Sequence, residues 1–168
     1  FRSQPKFIEA LGQQIVLDNR SGASGIIGAD IVAKSAADGY TLLHDASAYT
    51  VNPALRKLPF DPLKDLAPIA LLMRTPNMVV VHPAVPVATV KDLIELARAQ
   101  PGRITMGSSG YGSAPHMAGE LFMSMTKTKL LHVPYKGGGL VYADLLGGQL
   151  QLFFGSIASA LPHVQGGK

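Results

Sequence analysis

Apolar residues recur along this chain with two spacings, and the spacings predict two kinds of element. Spacings of three and four residues place apolar side chains on one face of a helix, whereas short continuous apolar runs are typical of buried strands. Helices are predicted at 1–11, 25–36, 89–102, 114–126 and 140–147, with shorter ones within 47–66 and after Ser156. Strands are predicted at 14–19, 40–45, 67–73, 77–83, 103–108, 130–135 and 149–155.

Strands alternate with helices most regularly after residue 102, and this rhythm predicts an α/β fold. Such βαβ units build a largely parallel sheet with helices packed against it. In sheets of this kind, ligands bind beyond the carboxyl ends of the strands, where the helices begin. The turns at that edge are therefore the first place to look for a binding site.

Several of these strand-to-helix turns consist of very small residues. They read GSSGYGS at 107–113, KGGG at 136–139 and GS at 155–156, and NRSGASGIIG at 19–28 is similar. A helix N-terminus offers free N–H groups and the positive end of the helix dipole, so it favours an anion, and small residues let the anion approach the backbone. Ser113 is predicted to cap the helix that starts after it. Glycine-rich turns also serve purely structural purposes, so both interpretations remain open at this point.

Composition narrows the classes of function. Hydrophobic residues make up 47% and charged residues 15% of the 168 residues, which is typical of a folded globular chain. No apolar run approaches the roughly 18–20 residues of a membrane span, so the chain is not expected to cross a membrane. The net charge of +4 comes from scattered Lys and Arg residues, so no nucleic-acid partner is predicted. The absence of cysteine excludes disulfides, Cys-based zinc sites and thiol catalysis.

Catalytic motifs that the glycine-rich turns superficially suggest are missing. The sequence contains no GxxxxGK[ST] loop, no complete GxGxxG fingerprint and no GxSxG elbow. His116 and Glu120 are four residues apart and could share a metal, but a pair on a helix surface is the favoured interpretation. His132 lies in a predicted strand, where a structural histidine is expected. The sequence therefore predicts no catalytic residue, no metal and no cofactor.

Several longer motifs resemble those of a known family. The stretches DNRSGASGIIGADIVAKSAADGYTLLHDAS, VNPALRKLPFDPLKDLAPIALL, SSGYGSAPHMAGELF, HVPYKGGGLVYADLLGGQLQLFF and SALPHVQGGK resemble, in the same order, the receptors of tripartite tricarboxylate transporters, also called Bug proteins. The resemblance implies a type II periplasmic binding protein fold with two α/β lobes. It also implies an extracytoplasmic, periplasmic receptor that traps a small carboxylate and delivers it to the membrane subunits of a transporter.

The resemblance further implies which residues hold the ligand. Backbone amides and hydroxyls of the loop before helix 114–126 are expected to bind a carboxylate, and three other turns are expected to wall the cleft. The expected ligand-binding residues are Ser108, Ser109, Gly110, Tyr111, Gly112, Ser113, Ala114, Ser47, Ala48, Tyr49, Lys136, Gly137, Gly155 and Ser156. Ser21, Ser24 and Ile26 depart from the usual Pro, Gly and Asn, and Gly155 stands where many members carry Asp.

Family members run to about 300 residues, so this chain is expected to lack parts of the fold at both ends. Residues 1–102 are expected to belong to the first lobe and 103–168 to the second, with a hinge near 100–103. Two alternatives remain. One is an α/β enzyme that acts on an anionic substrate, and the other is an orphan paralogue that binds a protein partner.

Overall fold

The centre of the molecule is a four-stranded mixed sheet. A computed structural model describes residues 4–167. Strand β2 pairs in parallel with β3 and with β4, and β1 pairs antiparallel with β4, in the order β1-β4-β2-β3. The strands are β1 (Asn77–Val81), β2 (Thr105–Ser108), β3 (Leu131–Pro134) and β4 (Leu152–Ser156). The predicted α/β fold with a mainly parallel sheet is confirmed.

Seven α-helices and one 3₁₀ turn lie among the described residues. The helices are α1 (Gln4–Leu11), α2 (Ile26–Ala33), α3 (Ala48–Leu55), α4 (Val90–Ala99), α5 (Ala114–Thr126), α6 (Gly138–Leu146) and α7 (Ile157–Gln165), and the 3₁₀ turn is Ala23–Gly25. Within residues 4–167, no helix has both the length and the apolar character needed to cross a membrane. The predicted helix at 1–11 is confirmed from Gln4 onwards, and its first three residues lie outside the described part, as does Lys168.

Local signals explain where α4 begins. Thr89 accepts a hydrogen bond from the amide of Asp92, and the Asp92 carboxylate accepts one from the amide of Thr89. This reciprocal pair is a capping box, which satisfies two N–H groups that have no partner inside the helix. Thr89 is therefore the N-cap residue of α4.

The sheet is covered on both faces. The evidence is that Leu152, Phe153 and Phe154, which follow one another in β4, are all buried. Leu152 and Phe154 pack into one cluster and Phe153 into another. The first cluster also contains Leu93, Ala97, Ile104, Met106 and Leu130, and the second contains Val141, Leu145 and Leu150. Strands buried on both faces are expected to read as continuous apolar runs, as β4 does.

Three predicted strands are wrong. Segments 14–19, 40–45 and 67–73 join no β-ladder of the described structure. Their apolar side chains are largely exposed, with 88% exposure at Val16, 91% at Tyr40 and 80% at Ile69. A β-strand forms only where a neighbouring strand pairs with its amides and carbonyls. An apolar run predicts that a segment is buried, but it does not identify the strand with which the segment would pair.

The hinge is predicted at 100–103, and this segment joins α4 to β2. It is a tight turn in which the Gly102 amide donates to the Lys129 carbonyl at 2.8 Å and the Arg103 amide to the Gln100 carbonyl at 3.1 Å. Both α4 and β2 contribute to the same hydrophobic cluster. Strand β1 and helix α4 therefore precede the predicted boundary at residue 102 and yet belong to the same sheet and core as the elements after it.

Candidate functional site

Three helix N-termini lie at one edge of the sheet. Strands β2, β3 and β4 run parallel, and each is followed directly by a helix: α5, α6 and α7 respectively. Because parallel strands end at the same edge, the amino ends of these helices lie there together. Lys136 and Gly137 connect β3 to α6, and Gly155 and Ser156 end β4 just before α7. The structure therefore brings these predicted residues to the edge that carries loop 108–114.

The loop between β2 and α5, residues 108–113, is called the glycine loop below. Gly110 and Gly112 have φ angles of 125° and 78°, in the region that favours glycine. The Gly110 amide donates to Ser108 Oγ at 3.1 Å, the Ser113 hydroxyl donates to the Gly110 carbonyl at 2.6 Å, and the Gly112 amide donates to His116 Nδ1 at 3.1 Å. The loop is therefore held in shape by two of its own side chains and by His116 of α5.

These internal bonds decide which groups remain available to a ligand. The amide of Ser113 donates to the Gly110 carbonyl at 3.2 Å. Ser113 occupies the N-cap position as predicted, but its hydroxyl makes no capping bond, because it donates to Gly110 instead. Within residues 4–167, the amides of Ser109 and Tyr111 in the loop and of Ala114 at the start of α5 donate to no acceptor. These three donors are the ones that the loop's own hydrogen bonds leave unused in this conformation.

Two histidines and a tyrosine pack beside the glycine loop. The ring centroids of His116 and His132 are 4.3 Å apart, and the Tyr111 ring lies edge-on to both, at 5.5 Å and 5.1 Å. Ser108, which is fully buried, places its Oγ 2.7 Å from His132 Nε2. Burial, together with the nearby His116, lowers the pKa of His132 to about 4, so His132 is neutral at physiological pH.

His116 is buried, so the expectation of a pair on the helix surface is wrong for this residue. Its side chain is only 11% exposed, and its Nε2 lies 3.5 Å from a Glu120 carboxylate oxygen. Within residues 4–167, no three His, Asp or Glu side chains come close enough together to hold a metal ion. His116 lies three residues after the N-cap residue Ser113. This spacing is the sequence signal that could have indicated its contact with the loop.

The 3₁₀ turn and α3 reach the glycine loop through residues that were not among the expected ligand-binding residues. The Ser24 hydroxyl donates to the Tyr111 carbonyl at 2.7 Å, and the Asn52 amide group donates to the Ser24 carbonyl at 3.0 Å. Asn52 is 3% exposed, and its Oδ1 has no hydrogen-bond partner in the described structure. The 3₁₀ turn therefore meets the loop across 87 residues of sequence, and α3 bonds to the 3₁₀ turn across 28.

Helix α3 approaches the glycine loop one turn later than predicted. A side-chain carbon added at Gly112 would lie 3.1 Å from a Leu55 methyl and 3.6 Å from Asn52 Oδ1. The predicted residues Ser47, Ala48 and Tyr49 lie at the start of the same helix. There Ala48 is buried, and the Tyr49 hydroxyl donates to the Pro62 carbonyl.

Gly155 leaves room for a neighbouring tyrosine. A carbon added at Gly155 would lie 2.5 Å from the hydroxyl of Tyr142. That hydroxyl pairs with Ser159 Oγ at 2.9 Å, and Ser159 Oγ lies 2.7 Å from Ser156 Oγ. Tyr142 therefore occupies the space into which a side chain at position 155 would extend.

A cavity of about 320 Å³ lies away from the glycine loop. It is lined by Val80, Val81, His82, Pro83, Tyr142, Leu145, Leu146 and His163, between β1, α6 and α7. None of the predicted ligand residues lines it.

The sequence as a whole matches one family model. That model is described as the tripartite tricarboxylate transporter family receptor, and it matches residues 2–168. The chain belongs to this family. The resemblance expected from the motifs is thereby confirmed.

Individual relatives and solved structures show the same likeness. Protein BugT of Bordetella pertussis is 36% identical over 162 residues, which cover 95% of this chain and 50% of BugT. Among solved structures, R. palustris Rpa4515 with adipate has a TM-score of 0.91 and 37% identity, covering 98% of this chain and 56% of that protein. The periplasmic binding protein BugD has a TM-score of 0.89 and 30% identity, covering 99% and 56%. The chain therefore spans about half the length of the family members that it matches.

Proposed function

We propose that this chain is part of an extracytoplasmic receptor that captures a small dicarboxylate at the carboxyl edge of its sheet. The observation that carries the proposal is the meeting of three helix N-termini at that edge, where the amides of Ser109, Tyr111 and Ala114 make no hydrogen bond within residues 4–167. Helix N-termini and free amides bind anions in general. The relative with a TM-score of 0.91 was solved with adipate, a dicarboxylate, which supports this class of ligand.

The charge at this edge favours an anion as well. None of the expected ligand-binding residues is acidic, and Lys136 adds one cation at the start of α6. A carboxylate at this edge would receive hydrogen bonds from the amides of Tyr111 and Ala114. Backbone amides recognise the carboxylate group itself, so the rest of the acid is selected by the walls of the cleft.

The opposite wall is proposed to come from the first lobe. Ser24 and Asn52 connect the 3₁₀ turn and α3 to the glycine loop, so a ligand bound at the loop lies beside first-lobe residues. Since β1 shares the sheet with β4, we place the boundary between the lobes near 74–76 in preference to residue 102. Closure of the two lobes about segment 74–76 would trap the acid between them.

The matched family is one of receptors, which supports a transport role in preference to an enzymatic one. We propose that the receptor acts in the periplasm and delivers its acid to the membrane subunits of a tripartite transporter. A neighbour described as a periplasmic binding protein supports this location. An enzyme that acts on an anionic substrate would reveal itself by turnover of a bound acid, and an orphan paralogue by binding no acid at all.

The test is the thermal stability of the chain with 1 mM succinate, adipate, citrate or benzoate. A ligand with a dissociation constant of about 1 µM adds roughly 4 kcal/mol at this excess. For a chain of this size that shift raises Tm by roughly 8 °C or more. Adipamide has the same carbon chain as adipate without its charges, and it serves as the matched control.

A rise in Tm with one dicarboxylate and none with adipamide is the expected result. Equal rises with adipate and adipamide would show that the carboxylates are not what is recognised. A cooperative melt that no acid shifts would refute the proposed function of this chain.

A further inference from the structure

Helices α4 and α5 each use the side chain of their third residue to accept a hydrogen bond from a backbone amide that precedes the helix, but the two side chains are of different kinds. In α4 the third residue is Asp92, whose carboxylate accepts the amides of Ala88 and Thr89 at 3.0 Å and 2.9 Å. In α5 the third residue is His116, whose Nδ1 accepts the amide of Gly112 at 3.1 Å. Each side chain reaches back and satisfies an amide that precedes the helix.

The side chains of Asp92 and His116 differ in charge. Asp92 places a negative charge beside the N-terminus of α4, and the bonds from Ala88 and Thr89 lower its pKa, so it is ionised. An ionised carboxylate there is attracted by the helix dipole and would repel a second anion. Because Nδ1 of His116 accepts a hydrogen bond, a neutral imidazole carries its proton on Nε2, which faces the carboxylate of Glu120 at 3.5 Å. A neutral His116 therefore satisfies the amide of Gly112 without adding a negative charge at the loop.

We propose that His116 is a positioning residue for the bound carboxylate. It holds the Gly112 amide inward and so sets the curvature of the glycine loop, in which the amides of Tyr111 and Ala114 keep no acceptor within residues 4–167. It does this without a negative charge at the end of α5 where the acid binds. The inference rests on the proposed function, since it assigns a role within that same site.

The surroundings of His116 fix its ring in this role. His132 from β3 and Tyr111 from the glycine loop pack against it, and Glu120 lies one turn further along α5. His132 is held neutral by burial. The ring is thus confined on several sides, and its one acceptor nitrogen points at the loop.

The decisive experiment compares His116→Asn with His116→Asp. Both side chains are short, have the same shape and can accept the Gly112 amide, and they differ in charge. Adipate affinity is measured by calorimetry, and the Tm of each unliganded variant is measured in parallel. We expect similar Tm values for the two variants, with binding by His116→Asp at least about tenfold weaker than by His116→Asn.

Equal adipate affinity in the two variants would overturn the inference and leave the proposed function standing. If the unmodified chain binds no acid, the proposed function fails and the inference falls with it. If His116→Asp does not fold, the comparison of His116→Asn with His116→Leu decides. Leu has a similar size but no acceptor, so equal affinity in that pair would also refute a positioning role.

Discussion

Gly119 of α5 packs against Met106 of β2, and its substitution tests how that helix packs on the sheet. A carbon added at Gly119 would lie 2.0 Å from Sδ and 2.5 Å from Cε of Met106, with Phe154 3.6 Å away on the other side. Met106 is completely buried in the main cluster. The change Gly119→Ala therefore forces either the helix or the Met106 side chain to move by well over 1 Å, since carbon contacts lie at about 3.5–4.0 Å.

Two effects of opposite sign determine the expected magnitude. Replacing a glycine within a helix by alanine gains about 1 kcal/mol in helix propensity. Overpacking a filled core costs about 1–3 kcal/mol, and the upper end applies here because Met106 has no solvent to move into. We expect Gly119→Ala to lower the free energy of unfolding by about 2 kcal/mol, which corresponds to a Tm lower by roughly 4–8 °C.

Urea unfolding of four proteins measures this directly: the unmodified chain, Gly119→Ala, Met106→Ala and the double variant. Removing the Met106 side chain leaves space for the new methyl group, so the effect of Gly119→Ala should change sign in that background. A coupling of about 3 kcal/mol is expected between two residues in such contact. If Gly119→Ala is neutral or stabilising in the unmodified chain, the packing of α5 against β2 described above is incorrect.

Two further predictions concern the ends of helices. Ser113→Asp sets a negative charge at the N-cap of α5, so calorimetry should detect no adipate binding, while Ser113→Asn, which has the same shape without the charge, should bind more tightly than Ser113→Asp. Unchanged affinity in Ser113→Asp would remove the glycine loop from the site. The pKa of Asp92 is lowered from 3.8, mainly by the hydrogen bond from the Ala88 amide, so its stabilisation is complete above that pH and is lost as the pH falls below it. Asp92→Asn should therefore lower Tm at pH 6 more than at pH 3, and an equal loss at both would contradict this linkage.

Local sequence signals determined much of the second half of the fold. The capping box of Thr89 and Asp92 acts within four residues, and the small residues before α5 allow φ angles that few other side chains tolerate. Helix α5 accordingly runs over the predicted residues 114–126. The small-residue turns were likewise predicted at the carboxyl edge of a sheet, because alternating strands and helices leave few other arrangements.

In the first half of the chain, apolar runs alone did not predict the strands correctly. Segments 14–19, 40–45 and 67–73 have the composition of buried strands, but the described structure pairs none of them into a ladder. Strand formation depends on a neighbour that can lie anywhere in the sequence, so a local pattern does not determine it. Strand β1 illustrates the same point, since its partner β4 lies more than 70 residues later.

The sequence by itself determined the family, the α/β class and the loop where an anion is expected, because each follows from residues close together in the chain. Only the tertiary structure decided how that loop is held and which of its amides find an acceptor within the protein. The contacts that hold it come from α5, β3 and the 3₁₀ turn, through His116, His132 and Ser24. A hydrogen bond between residues 87 apart leaves no periodicity in a sequence, since it depends on how the layers pack and not on local conformation.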